Sequence, residues 1–316
     1  MRIAILGVGS LGGVLLGSLS DTESEIICVS RGETAARLSS GLTLYTPEGT
    51  IEMVPGERYL VIDSESGPVP EQVLGTCDAA VIAGKADSTE TLSSIARDLL
   101  KGEGVAMSIQ NGLGHDGVLS RRVGGKRVLG GSTTHSAWRE GDGSVHWTGR
   151  GIIYLGKLDG SYPCMTSSDL IQVLNQAGLE ARWTNDIRSQ IWRKLLINVA
   201  INPVCAIAGV RNGALAEVPE LWTQSLEAMR EAEEVAIAFG IDLGEVESED
   251  YLKEVVRSTA DNRGSMLQDL MAGRKTEIEV LCGAVVSRGK DLGIPTPRNE
   301  VLVALIRGIE MSRHYD

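Results

Sequence analysis

Arg2–Leu6 followed directly by Gly7-Val8-Gly9-Ser10-Leu11-Gly12 constrains this chain more than any other stretch. The first run is short, largely apolar and of β type. Beyond Gly12 a helical pattern carries through Leu16 and Leu19. A G-x-G-x-x-G set between a strand and a helix is the phosphate-binding turn of a dinucleotide fold. Gly7 permits the tight turn, Gly9 lets the backbone approach a pyrophosphate, and Gly12 lets the helix pack on the strand. Val8, Ser10 and Leu11 lie in the same turn, and the helix N-terminus faces the phosphates. Arg2, the apolar run and Ser18-Leu19-Ser20 imitate a secretory leader. The glycines at 7, 9, 12, 13 and 17 interrupt that run and argue against it.

The second strand is expected over Glu25–Ser30. Its end carries the residue that reads the adenosine ribose, and NAD enzymes usually place Asp or Glu there. Here the strand ends Val29-Ser30-Arg31-Gly32. A cation at Arg31 suits a 2′-phosphate, so NADP(H) is favoured over NAD(H). The competing readings are a surface arginine and a hydroxyl contact from Glu33. Leu42–Val54, with Tyr45-Thr46-Pro47-Glu48-Gly49-Thr50 at its centre, reads as an inserted β-hairpin. Residues 55–78 carry no clear pattern.

Ala79–Ala83 and Gly104–Ile109 read as buried parallel strands. Ser88–Leu100 reads as a helix between them, with Ser88 a candidate N-cap. Ligands in open α/β sheets bind beyond the carboxyl ends of strands, which makes Lys85 and Asn111 candidate contacts. Their ordinary alternatives are a solvated lysine and an Asn-Gly turn. Further strands are expected at Val128–Gly131, at Gly151–Gly156 and at Leu179–Trp183, with Ser144–Trp147 lying between the first two after a Gly141-Asp142-Gly143 turn. A helix is expected at Ser168–Ala177. The dinucleotide domain is expected to cover 1–184 and a helical substrate domain 185–316.

Helix-forming residues 187–202 open that second part. Ile187, Ile191, Leu195 and Val199 make an apolar stripe. Lys194, Asn198 and Asn202 recur beside it at the same spacing, so one ammonium and two amides share a face. Pro203 follows, and the residue before a proline is pushed out of helical geometry, so the helix is expected to end or kink near Asn202. Later helices are expected at Pro219–Phe239, Glu249–Thr259, from Ser265 to a break at Gly273, and at Asn299–Arg313. Thr276 and Glu279 have capping-box spacing, with a helix running to Leu292 and Glu277 in its first turn.

The net charge of -12 speaks against a large nucleic-acid surface, and one Phe leaves few stacking platforms for single strands. Cys28, Cys77, Cys164, Cys205 and Cys282 are odd in number and scattered, as expected of free thiols in a cytoplasmic protein. Four dispersed histidines give no metal signature. Apart from the N-terminal run, no stretch is expected to approach the roughly 18–20 apolar residues of a membrane span.

These residues together resemble the ketopantoate reductase (2-dehydropantoate 2-reductase) family. The resemblance covers nearly the whole chain. It is most specific in Asp186-Ile187-Arg188, Trp192-Arg193-Lys194-Leu195, Asn198, Ile201-Asn202-Pro203, Asn212-Gly213, Ser265-Met266-Leu267-Gln268-Asp269, Gly273-Arg274 and Thr276-Glu277-Ile278. It implies an N-terminal Rossmann-type domain, an all-α C-terminal domain, and NADPH reduction of 2-dehydropantoate to (R)-pantoate on the route to coenzyme A. It makes Lys194 the general acid and a substrate contact, with Asn198, Asn202, Asn212 and Ser265. Asn111 is shared between substrate and cofactor, and Lys85, Ala137 and Glu277 stand around NADPH. Gly264 replaces a frequent serine, Cys282 a frequent asparagine, and Ala83-Gly84 precedes Lys85 where a larger residue or Thr is frequent.

The chemistry agrees with the residues taken alone. Hydride attack on a 2-oxo acid builds an alkoxide that needs a proton. A lysine in water is a weak acid, with a pKa of about 10.4. Burial with a second cation such as Lys85 would bring it toward neutrality. Asn and Ser hydrogen-bond substrate without adding charge. Glu277 fixes either a ribose hydroxyl or the lysine. The substrate is expected in a cleft between the domains. Other branched 2-oxo acids, reduced to D-2-hydroxy acids such as mandelate, are the alternative substrates, and a non-catalytic NADPH sensor is the alternative class. Apolar positions on the C-terminal helices suffice for a homodimer.

Overall fold

The structure, a computed structural model, describes residues 1–312 except Asp142 and Val246. The centre of the turn expected at 141–143 and the helix end expected at Arg313 therefore lie outside the described residues. Two compact units emerge. One comprises Met1–Gln110 with His115–Ile187, and the other comprises Asn111–Gly114 with Arg188 onward.

The first unit is α/β. Its strands are β1 (Arg2–Leu6), β2 (Glu25–Ser30), β3 (Leu42–Tyr45), β4 (Ile51–Val54), β5 (Tyr59–Asp63), β6 (Cys77–Ile82), β7 (Leu100–Ser108), β8 (Val128–Thr133), β9 (Ser136–Glu140), β10 (Ser144–Gly149), β11 (Ile153–Lys157) and β12 (Ala181–Trp183). Its helices are α1 (Ser10–Ser20), α2 (Gly32–Leu38), α3 (Thr89–Leu99), α4 (His115–Val123) and α5 (Met165–Gln176). One eight-stranded sheet runs β12-β11-β8-β7-β6-β1-β2-β5. All its pairings are parallel except β8 with β11. Ile3–Leu6 and Ala79–Ile82 are almost wholly buried, as central parallel strands covered on both faces must be.

The second sheet, β4-β3-β10-β9, contains the expected hairpin. It approaches α1 through two glycines one helical turn apart. A Cβ on Gly13 would sit 2.5 Å from Val145 Cγ2, and one on Gly17 would sit 2.5 Å from Leu44 Cδ2. Gly13 and Gly17 thus make room for the small sheet, a purpose apart from the phosphate turn.

Several expectations need correction. The illegible stretch 55–78 contains β5, which pairs with β2 and forms the sheet edge. The strands β9 and β10 and the helix α4 are not contained in the sequence reading. Ser88 does not cap α3: its backbone is already helical, and its hydroxyl donates to the Lys85 carbonyl at 2.6 Å.

The second unit is helical: α6 (Ile187–Ala208), α7 (Ala214–Glu217), α8 (Pro219–Ala238), α9 (Ser248–Ser258), α10 (Ser265–Met271), α11 (Cys282–Leu292) and α12 (Pro297–Ser312). The first of these does not stop at Asn202. It runs through Pro203 to Ala208. An interior proline costs about 3 kcal/mol. Fully burying side chains such as Ile201 and Val204 returns about 1.5–3 kcal/mol each, and both lie in the core with Cys205 and Ala206. Tertiary burial therefore carries the helix past its local stop signal. Contrary to expectation, Ile187–Ala208 is also long and apolar enough to cross a membrane, but over half of its most apolar window is buried.

The capping box is not made. Glu279 binds Arg307 through two hydrogen bonds of 2.5 and 2.6 Å, and the Thr276 amide donates instead to Glu310 Oε1 at 2.7 Å. The helix begins five residues late, at Cys282, and Glu277 lies in a turn ahead of it, closed by Val280 and Leu281 amides donating to the Glu277 carbonyl.

Candidate active site

Both units carry a cluster of the expected residues. In the α/β unit a cavity of about 370 Å³ lies beside the glycine turn. Gly7, Val8 and Gly9 line it, with Arg31, Lys85 and Arg139 among the other lining residues. Gly7 has φ +90, and a Cβ there would lie 2.3 Å from Gly84 Cα, so the carboxyl ends of β1 and β6 meet too closely for any side chain. A Cβ on Gly12 would lie 2.3 Å from the Gly7 carbonyl oxygen, so the helix start needs its glycine too. Gly9 differs: apart from its chain neighbours, nothing among the described residues lies within 4 Å of where its Cβ would be. Its missing side chain leaves open space rather than relieving contact, as a cradle for a ligand requires. No side chain caps α1, whose first turn is Ser10, Leu11 and Gly12. The uncapped helix start and its dipole suit a pyrophosphate there. These three residues do not themselves line the cavity.

Arg31 ends β2 and precedes α2 in extended geometry. Its side chain is largely exposed and faces the Asp87 carboxylate at 3.9 Å. Such a long, exposed pair is weak, so the guanidinium remains available to a stronger anion. Lys85 is exposed on the same cavity. Ala137, on β9, packs against the core of this unit and is not part of the cavity wall. Arg139 was missed. It is half-buried, donates to Thr34 Oγ1 at 3.0 Å, and brings a further cation to the cavity. Burial first, and then the neighbouring Arg37, lower its pKa from the usual arginine value. Sequence offered no sign of it, because β9 itself was unrecognised.

In the helical unit, α6 presents Lys194, Asn198 and Asn202 one turn apart. Burial pulls the Lys194 ammonium down to a pKa of about 8, and the Glu277 carboxylate partly opposes this. Glu277 is itself buried and accepts from Asn111 Nδ2 at 3.1 Å. Asn111 belongs to this unit because the Leu113 amide donates to the Val280 carbonyl at 3.0 Å, tying 111–114 to the turn that holds Glu277. Glu277 thus accepts from one amide and electrostatically opposes the downward shift of the lysine.

Asn212 is set by pairing between two loops: its amide donates to the Asn262 carbonyl, and the Gly213 amide to that of Ala260. Its Nδ2 donates to Thr259 Oγ1 at 3.0 Å. Asn202 and Asn212 are both buried, while Ser265, the first residue of α10, is exposed. A desolvated ammonium with neutral amides around it can bind an anionic, oxygen-rich small molecule and donate a proton within it.

Comparison with known proteins identifies the family. The family description "Ketopantoate reductase PanE/ApbA" matches residues 3–160, and its C-terminal counterpart matches residues 186–310. A 2-dehydropantoate 2-reductase from Archaeoglobus fulgidus is 33% identical over 310 residues, covering 98% of each chain. The crystal structure of a PanE/ApbA family ketopantoate reductase from Ralstonia eutropha superposes with a TM-score of 0.87 at 27% identity, covering 99% of this chain and 100% of that one. A D-mandelate dehydrogenase solved with NADH and anilino(oxo)acetate also reaches 0.87, at 23% identity over 99% of both chains, and shows the shared fold. With both family regions matched and full-length relatives this similar, the chain belongs to the ketopantoate reductase family.

Proposed function

We propose that the protein reduces 2-dehydropantoate to (R)-pantoate with NADPH, with residues 1–184 as the NADP-binding domain and 185–316 as the substrate and catalytic domain. The observation that carries this is Lys194: a desolvated ammonium of pKa about 8, on one helix face with Asn198 and Asn202. The dinucleotide, when bound, supplies the hydride that attacks C2 of the keto acid. Lys194 Nζ gives its proton to the oxygen that becomes the alcohol and regains one from solvent. Burial makes that transfer easier by bringing the lysine's acidity close to operating pH. Asn111, Asn198, Asn202, Asn212 and Ser265 hold the substrate by hydrogen bonds. Glu277 positions Asn111 and keeps Lys194 charged. Gly7, Val8, Gly9, Ser10, Leu11 and Gly12 cradle the pyrophosphate, Arg31 meets the 2′-phosphate, and Lys85 and Ala137 complete the cofactor surroundings.

The test is to mix the protein with 2-dehydropantoate and follow loss of NADPH absorbance, with NADH in parallel. Rapid NADPH oxidation supports the reading. Turnover of only other branched 2-oxo acids would reassign the substrate.

The reducing reaction needs Lys194 protonated, so kcat/KM for reduction is expected to fall as pH rises through about 8. Removing the opposing carboxylate by Glu277→Gln leaves burial unopposed, so the fall should move to lower pH. An unmoved alkaline limb would separate Glu277 from the lysine. Arg31→Ala is expected to weaken NADPH binding about 10- to 100-fold, the worth of charge-assisted hydrogen bonds, with little change for NADH. Equal losses for both cofactors would show that Arg31 does not meet the phosphate.

A cytoplasmic homodimer is the proposed setting. Exposed apolar side chains on the helical unit, including Ile237, Met271, Val301 and Leu305, support the dimer, and unpaired cysteines support the compartment.

A further inference from the structure

β6 and β7 pair in parallel up to Ile82 and Ser108, and the Ile109 amide then donates to the Ile82 carbonyl at 3.0 Å. Beyond that point the side chain of Gln110 takes over. Its Nε2 donates to the Gly84 carbonyl at 2.9 Å and to the Lys85 carbonyl at 3.1 Å. A side-chain amide thus supplies the donors where the two backbones part.

The orientation of that amide follows from its other contacts. Its Oε1 accepts from Ser108 Oγ at 2.9 Å. The Thr89 hydroxyl gives its one proton to the Ala86 carbonyl at 2.8 Å rather than to Gln110 Oε1 at 3.3 Å. Toward Gln110 Nε2, 3.0 Å away, it therefore accepts. Turned over, the amide would set its own oxygen against two carbonyl oxygens. What it holds is the backbone on both sides of the Lys85 Cα. The Gly84 carbonyl belongs to the peptide bond before that atom, and the Lys85 carbonyl to the one after it. The Ser88 amide also donates to the second, at 3.0 Å. With both peptide planes fixed, the lysine side chain leaves the backbone in one direction.

We propose that Gln110 is a positioning residue for the cofactor: it acts through the Gly84–Lys85 backbone and aims the Lys85 ammonium into the cavity beside the glycine turn. This rests on the reading of Lys85 as a cofactor contact. Lys85 lines that cavity, whereas Gln110 is not part of its wall, so Gln110 works through its neighbour and not on the ligand. A lysine carries its charge on a flexible four-carbon stem. The place and direction of its Cα therefore set the volume the ammonium can reach. A supporting hydrogen bond of this kind holds a binding group near its productive geometry.

The experiment measures NADPH affinity by fluorescence titration in the wild type, Gln110→Met, Lys85→Met and the double variant. Methionine keeps the length of glutamine and removes its donors. Lys85→Met is expected to weaken binding about 10- to 100-fold and Gln110→Met about 3- to 10-fold. In the Lys85→Met background the Gln110 substitution should add less than about twofold, because its effect runs through the missing ammonium. Gln110→Glu keeps the shape but meets two carbonyls with oxygen. It should match Gln110→Met, and it replaces that variant in the cycle if the methionine folds poorly. Losses that multiply in the double variant would overturn the proposal, since Gln110 would then act elsewhere, for instance through Gly84 on the Gly7 turn. A lower Tm with unchanged affinity would make Gln110 a purely stabilising residue and overturn it too. Wild-type affinity in Lys85→Met would remove Lys85 from the cofactor site and this proposal with it. Because only binding is read, the identity of the substrate does not enter.

Discussion

Lys194→Ala is expected to lower turnover on 2-dehydropantoate by about 10²–10⁴, the usual worth of a positioned general acid. The reason is charge. As hydride reaches C2, the ketone oxygen becomes an alkoxide in surroundings dry enough to depress an ammonium from 10.5 to about 8. Alanine leaves that oxygen to water, and the neighbouring amides of Asn198 and Asn202 can donate hydrogen bonds but no proton. Lys194→Arg should not restore the rate, because a guanidinium keeps its proton throughout the working pH range. NADPH affinity, read by fluorescence titration, should be nearly unchanged in both variants. Wild-type turnover in the alanine variant would remove Lys194 from the chemistry. A matched loss of NADPH affinity would instead mean that the substitution had damaged the cofactor site.

The second large effect is expected at Gly7. Alanine there must take φ +90 and place its Cβ 2.3 Å from Gly84 Cα and 2.4 Å from Gly84 N. Both obstacles are backbone atoms, so no rotamer change relieves them. Strain of about 1–3 kcal/mol from the dihedral and about 1–3 kcal/mol from overpacking is a large share of a total stability of about 5–15 kcal/mol. Gly7→Ala should therefore lower Tm by many degrees and abolish tight NADPH binding, because the turn carrying Val8 and Gly9 must move. Gly9→Ala makes the informative partner. With nothing within 4 Å, its Cβ costs the fold little. Its Tm should stay near wild type while NADPH binding falls at least about tenfold, since only a ligand occupies that space. A thermally destabilised Gly9→Ala, or a Gly7→Ala that melts normally, would contradict this division of labour between the two glycines.

The elements that proved legible are those whose signal is local. β1, β2, the hairpin of β3 and β4, and α8 stand almost where periodicity puts them, because apolar spacing and turn residues act over a few positions. What failed depends on partners distant in the chain. β5 is a strand because β2 offers it an edge, and β9 because β10 does. Thr276 and Glu279 have the spacing of a cap, but Arg307 and Glu310, about thirty residues on, take their groups. Pro203 is a stop signal overruled by the core around Ile201 and Val204. Arg139 became visible as a cofactor-cavity residue only once β9 had a place.

The candidate site divides along the same line. Helical spacing by itself determined that Lys194, Asn198 and Asn202 share a face, and the glycine pattern determined where a tight turn joins β1 to α1. Only the tertiary structure decided that the ammonium is desolvated to a pKa of about 8, that Asn111 joins Glu277 from 166 residues away, and that Asn212 Oδ1 lacks a hydrogen-bond partner among the described residues. Spacing is a property of neighbouring residues. Burial and hydrogen-bond satisfaction belong to whatever the rest of the chain packs around them.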